Sequence, residues 1–510
     1  MRGFIFISNW ILFFTNFGTG HGAKILFTAA VDSGTHIGSM VPLIKRTMQA
    51  GHNVTVFDTS ALKKARDLGP NVTMIFIQVP QDKSLSRHMA SMMFREVYRA
   101  DTLHTPFFYG NDKLGEFMAN KDEFQKIRLI MEEKWDLVIL DELFGIHSYA
   151  FATFFKRMYG TPYIVYSTTA MIQNTAYILS LGRNLAAEPY LLTSPPIRSD
   201  DIYSSSDFLD RFNNVRETIT DILSIGFYVQ KFGTTNMRQL GVETFNWNEF
   251  FKGCSCIFAD YLDRWKVALT ESSDIRGIGS TCAVPKRLPS DLENFVSDSK
   301  SKGTIYIAFG TNVDWSTAPE TTLDAFFGAI DRFEDYRVIF SYNGIPRPVK
   351  PHVKLIPWAP QFDVLAHSKT KLFISHGGLK SFKETICAKM PVIYMPVFAE
   401  QAYNSKLALR MGYAGVVNKF TVTKETLSAE MEKVLSNSTY KSSAIKAYEF
   451  YLDRPIESLD DAMFTIERVL KNPHKRAYFP RKGMNLNCLQ HFHLDLISII
   501  LSLLFILTNK

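Results

Sequence analysis

The chain has 510 residues, 46% hydrophobic and 21% charged, which is the composition of a folded protein too long for one ordinary core. Its net charge of +7 comes from 57 Lys and Arg against 50 Asp and Glu, scattered without a basic block, so a nucleic-acid partner is not expected. The five cysteines, Cys254, Cys256, Cys282, Cys387 and Cys488, form no CxxC pair and no zinc spacing, so neither a disulfide scaffold nor a structural metal is expected.

In chain order, Met1 and Arg2 precede an apolar run from Phe4 to Phe17. Gly18, Gly20 and Gly22 then offer a cleavage site before Ala23, which is a signal-peptide pattern over residues 1–22. Lys24 to Ala30 reads as a strand. Asp32 to Thr35 and His36 lead into a helical pattern with Pro42 in its first turn and Gly51 past its end, and Asn53 to Phe57 reads as a second strand. Strand, loop, helix and strand in this order predict a parallel pair with a right-handed crossover.

Residues 84–124 are helical and aromatic, with Met89, Met92, Met93, Phe94, Phe107, Phe108 and Tyr109; they could line a cavity or simply pack a core. Trp135 to Leu140 is a buried strand with Asp141 at its C-terminal end, the edge of an open α/β sheet where ligands bind. Another strand, Tyr163 to Ser167, precedes a polar, helical stretch with no clear placement. Residues 277–289, with their glycines and prolines, mark a domain linker. A second strand series then runs through Thr304–Phe309, Val338–Tyr342, Val353–Ile356, Leu372–Ser375 and Val392–Met395, again with helical segments between. Two tandem, doubly wound α/β domains with a ligand cleft between them are expected.

The tail carries Leu496 to Leu507, apolar apart from two serines. Extended back to Leu486, it predicts a transmembrane helix within 486–510. N-x-S/T triplets at Asn53, Asn71 and Asn437 agree with a secretory route.

The densest stretch is Trp358 to Gln401. Its apolar run Leu372 to Ser375 passes into His376, Gly377 and Gly378 and then a helical pattern, predicting a strand, a glycine turn and a helix N-terminus able to hold a phosphate. Ser381 and Glu384 also fit an S-x-x-E capping box, which would only satisfy the first helical amides. No D-x-D, H-E-x-x-H or G-x-S-x-G occurs, so metal-dependent glycosyl transfer, zinc protease and serine hydrolase chemistries lack their motifs.

This stretch resembles the signature of the UDP-glycosyltransferases, of the membrane-anchored, UDP-glucuronosyltransferase-like animal type. Trp358, Pro360, Gln361, Asp363, Leu365, His367, Phe373, Ser375, His376, Gly377, Gly378, Ser381, Glu384, Pro391, Pro396 and Gln401 fall at the family's spacing. The resemblance implies a GT-B fold: an N-terminal acceptor-binding Rossmann-like domain (23–280), a C-terminal UDP-sugar-binding one (281–485) and a C-terminal transmembrane segment (486–510). It implies an inverting, metal-independent glycosyltransferase that moves glucuronate or glucose from a UDP-sugar to a hydroxyl of a small lipophilic acceptor. No cofactor is implied beyond the UDP-sugar co-substrate.

Carried over by position, Trp358 would stack on uracil, Gln361 would contact the base or ribose, and Glu384 would bond the ribose hydroxyls. Thr311, His376 and the amides after Gly377 and Gly378 would hold the diphosphate, with Ser381 in the same donor-binding set, and Glu400 with Gln401 would contact the sugar. His36 would be the catalytic base and Asp141 its partner. Glu400 stands where the family more often has Asp, and Lys380 replaces a small or amide residue. The expected setting is a single-pass membrane protein with lumenal catalytic domains, in the endoplasmic reticulum, with homo-oligomerisation left open. A UDP-sugar-binding protein of the same fold without catalysis is the rival reading.

Overall fold

The computed structural model describes residues 22–509 apart from 33, 81–82, 170, 187–202, 262–269 and 474–480; the expected signal peptide, save Gly22, lies outside the described residues. Two sheets organise the chain. The first contains β1 (Lys24–Thr28), β2 (Asn53–Ser60), β3 (Val72–Gln78), β4 (Leu137–Asp141), β5 (Tyr163–Ser167), β6 (Cys256–Ala259) and β7 (Ile275–Gly277), in the order β3-β2-β1-β4-β5-β6-β7. The second contains β8 (Thr304–Ala308), β9 (Arg337–Ser341), β10 (Val353–Ile356), β11 (Thr370–Ser375), β12 (Val392–Tyr394) and β13 (Ala414–Val416), in the order β10-β9-β8-β11-β12-β13.

Every recorded strand pairing is parallel. Helices cover both faces of such sheets, so the strands are continuous apolar runs without polar alternation, as in the fully buried KILFT and LVILD segments after Lys24. In both sheets the strand order reverses beside the first strand, between β1 and β4 and between β8 and β11. A reversal splays the connecting loops apart and opens a crevice at the carboxyl ends of the strands.

After β7 the chain runs without regular elements to the helix Ser290–Val296 that begins the second unit. Near its end it returns: Ala462, Met463, Ile466 and Val469 of the helix Ser458–Lys471 share a core with Ile25, Phe27, Ile37 and Met40 of the first unit. Arg46 donates to Asp460, and His52 bonds Glu467 at 2.9 Å along that seam.

Three sequence expectations are corrected. Among the described residues, no helix is long and apolar enough to cross a membrane. The expected span breaks at His493, which adopts a left-handed φ of 55° and separates Cys488–His491 from Leu494–Thr508. The remaining 15 residues reach only about 22 Å, against a hydrocarbon core of roughly 30 Å. Second, Cys282 and Cys387 form a disulfide across 105 residues, while Cys254 and Cys256 are buried thiols and Cys488 a partly buried one. Third, the first helix starts at Gly34, so Pro42 lies in its interior and leaves the Gly38 carbonyl without its usual amide partner.

Candidate active site

His36 is the third residue of the helix Gly34–Gln49, which follows β1, and Asp141 is the last residue of the neighbouring β4. Pairing of Thr28 with Leu140 brings these strand ends together. His36 Nδ1 bonds Asp141 Oδ2, whose side chain is fully buried while that of His36 keeps 13% exposure. Thr168, just past β5, lies 2.8 Å from the same nitrogen through Oγ1 and donates to Asp141 Oδ1 at 2.9 Å. The Leu143 amide donates to Oδ1 as well, at 3.2 Å. A carboxylate so held fixes the ring with its Nδ1–H toward Asp141, leaving the Nε2 lone pair for a proton in the cleft.

Glu142, next in sequence, is turned into the core. Its Oε1 accepts from the Ile172 amide at 3.3 Å, and burial pushes its carboxyl up to about 7. It does not share the cleft with Asp141, as the alternation of an extended chain requires.

On the second sheet β11 ends at Ser375 beside Ala308 of β8. Gly377 makes the turn with φ 89°, and the helix Leu379–Cys387 begins two residues later with Gly378 as its N-cap. A Cβ on Gly378 would lie 2.6 Å from His376 Nε2, so only glycine lets the backbone pass this close to the imidazole. Burial pushes His376 down to about 4, which keeps the ring neutral.

The capping-box reading of Ser381 and Glu384 does not hold, because the helix starts at Leu379 and Ser381 is already inside it. Both side chains instead face Gln361, whose Nε2 donates to Ser381 Oγ at 3.0 Å and to Glu384 Oε2 at 2.5 Å. Burial raises the Glu384 carboxyl, with Gln361 opposing. Trp358 stands in the loop after β10, 71% exposed. An indole left this bare offers its face to a planar ring.

Glu400 and Gln401 lie at the start of the helix Gln401–Arg410 and are both buried. Glu400 Oε1 accepts from the Leu379 amide at 3.2 Å; burial raises its carboxyl and His36 opposes the rise. Gln401 does not turn its carbonyl to the cleft; Oε1 accepts from the amides of Val397 and Phe398, at 2.9 and 3.1 Å.

Two cavities meet here. One of about 160 Å³ is lined by Thr311, His376, Gly378, Ser381, Glu400 and Gln401, among others, and reaches His36. The other, of about 500 Å³, runs from His36 past Phe144 to Met89, Met92, Met93 and Tyr98. Thr35, His36, Thr169, Thr311, Asn312, Phe398 and Glu400 line both. Trp358, Gln361 and Glu384 sit outside the smaller cavity's lining, and Gln361 is tied to it through Ser381.

Sequence reasoning missed Thr168, Phe144, Tyr98 and Phe398, which carry no motif and reach the cleft only through the fold. Lys380 had a signal as a departure from the family pattern. It lines the smaller cavity, and its Nζ lies 2.8 Å from where a Cβ on Gly38 of the opposite unit would sit. Burial pushes its amine down to about 7, Asp260 opposing.

A family model described as UDP-glucoronosyl and UDP-glucosyl transferase matches residues 208–509. A UDP-glucuronosyltransferase 2B15 of Rattus norvegicus is 27% identical over 95% of this chain and 91% of its own length. A UDP-glucuronosyltransferase of Pleuronectes platessa is 36% identical over 44% of this chain, a match that spans 48% of that relative. Among solved structures, the glycosyltransferase of kitacinnamycin superposes with a TM-score of 0.59 at 14% identity, covering 88% of this chain and 100% of that one. The shared architecture of two facing parallel-sheet Rossmann-like units is the GT-B fold.

Proposed function

Because this chain belongs to the UDP-glucoronosyl and UDP-glucosyl transferase family, and is thus a glycosyltransferase taking its sugar from a UDP-sugar, we propose an inverting, metal-independent transfer of glucose or glucuronate to a hydroxyl of a small lipophilic acceptor. The observation that carries this reading is the position of His36, bonded to the buried Asp141, in the wall common to both cavities. The smaller cavity, at the glycine turn, takes the sugar diphosphate and the larger, Met-lined one takes the acceptor. A base at their junction touches the only hydroxyl that has to lose a proton.

In the reaction the acceptor oxygen attacks the anomeric carbon from the first unit's side while UDP leaves on the second unit's side. A single displacement across the ring inverts the centre. His36 Nε2 takes the hydroxyl proton as the bond forms, and Asp141 stabilises the imidazolium. The diphosphate charge that develops is met by the Gly378 amide and the helix N-terminus that follows it, by neutral His376 as a donor, and by Lys380. These donors do what a divalent ion does in D-x-D enzymes. Trp358 holds the uracil ring and Glu384 the ribose.

The Cys282–Cys387 bridge favours an oxidising compartment, so we place the enzyme in the secretory lumen. Incubation with UDP-glucose or UDP-glucuronate and a panel of phenols in EDTA, with NMR of the product anomer, tests the whole reading. Acceptor-dependent UDP release and an inverted glycoside are expected. UDP binding without turnover would return the non-catalytic reading, and EDTA-sensitive turnover would remove metal independence.

A further inference from the structure

The helix Lys83–Arg95 belongs to the first unit by sequence but packs against the Trp315–Thr317 turn of the second. Phe94, 2% exposed, lies in the second unit's core with its ring 5.6 Å from that of Trp315. Arg95 Nη1 donates to the Thr317 carbonyl at 2.7 Å, and Tyr98 meets Phe398 edge to face at 6.0 Å. Lys419, 6% exposed and just beyond β13, completes the attachment. Its Nζ donates to the carbonyls of Met93 (2.5 Å), Glu96 (2.6 Å) and Val397 (2.6 Å).

An ammonium has three N–H donors and no acceptor, so three carbonyls use it fully. Met93 is in the last turn of its helix and Glu96 just past it, where carbonyls lack intrahelical partners and the helix carries its negative pole. Lys419 thus caps this helix from another domain. Burial pushes its amine down to about 8, with the Glu96 charge opposing. The segment it holds supplies Met89, Met92, Met93, Glu96, Val97 and Tyr98 to the larger cavity, which Val31, His36, Leu143 and Phe144 also line.

We propose that Lys419 is a positioning residue that fastens the Met89–Tyr98 wall of the acceptor cavity to the donor-binding unit, so that the shape of the acceptor site follows the position of the second unit. The inference rests on the acceptor reading of this cavity. It makes acceptor selection a property of both units, with the wall moving as the donor-binding unit moves.

The test is Lys419→Met, which keeps the length of the chain and removes its three donors. The Michaelis constant for a lipophilic phenol should rise about tenfold or more, the scale of losing hydrogen bonds to a charged group, while UDP affinity stays within about twofold. By hydrogen exchange, amides of residues 93–98 should exchange at least about tenfold faster in the unliganded variant. UDP should slow their exchange in the wild type and not in K419M. A folded K419M with unchanged phenol constant and unchanged exchange at 93–98 overturns the proposal. If K419M fails to fold, Arg95→Ala carries the same test with a smaller shift, about threefold, and an unmoved constant there overturns it equally. The unliganded exchange arm needs no turnover, so it decides the fastening even if the transferase reading fails.

Discussion

The proposed donor side of the cleft comes mostly from one stretch of chain, Trp358 to Gln401, which supplies the indole, the amide, the imidazole, the glycine turn and both carboxylates, with Phe309 to Asn312 beside it. The cavity proposed for the acceptor is gathered from Val31, His36, residues within 89–98 and 102–106, Phe144, Thr169 and, from the other unit, Thr311, Asn312 and residues 397–400. A nucleotide is a fixed shape that a local strand–turn–helix can be built to fit. A lipophilic acceptor is held by surface and volume, which many unrelated side chains can supply. The first design can be disabled by one polar change, whereas the second yields by degrees.

The sharpest way to break the comparison is at the junction. His36→Ala should lower turnover by roughly 10²- to 10⁴-fold, the scale of general-base catalysis, with UDP affinity by calorimetry unchanged. A parallel loss of UDP binding would make His36 a contact of the nucleotide and erase the distinction. Next in size is Glu384→Ala, which should weaken UDP by about 10- to 100-fold, as expected for losing bonds between ribose hydroxyls and a partly buried carboxylate. The phenol constant should not change; if it rises equally, the two sides are not independent.

The smallest effect is a pH slope. Lys380 is pushed down to about 7 in the unliganded cleft, and an adjoining diphosphate raises it, so binding takes up a proton. UDP affinity should therefore be greatest below pH 7 and fall by up to about tenfold per unit as pH rises above it, until the bound lysine also deprotonates. Lys380→Met should flatten that slope. A wild type without one would mean that Lys380 faces Gly38 and not the phosphates.

The same contrast explains what could be read from sequence. The donor stretch was legible because its residues adjoin in the chain, and the apolar runs of the central strands declared a parallel sheet. The edge strands Val72–Gln78, Ile275–Gly277 and Ala414–Val416 and the four-residue Cys256–Ala259 were not legible, being short or only half buried. His36 and Asp141 could be named only by family resemblance, since 105 residues separate them. Thr168 and Lys419 act through hydrogen bonds to partners far away in sequence, and nothing local marks either. The Cys282–Cys387 bridge was hidden by an odd number of cysteines, and the left-handed turn at His493 by the apolar residues after it.

The return of Ser458–Lys471 to the first unit bears on how the chain is made. The core around Ile25, Phe27 and Met40 stays uncovered until Ala462, Met463, Ile466 and Val469 leave the ribosome. At about 5–20 residues per second, the interval after β7 is roughly 10–40 s. During it the second unit can fold and Cys282 can find Cys387. The first unit in sequence is therefore the last to be finished, and chaperones that shield apolar surface would meet this protein at its amino-terminal half.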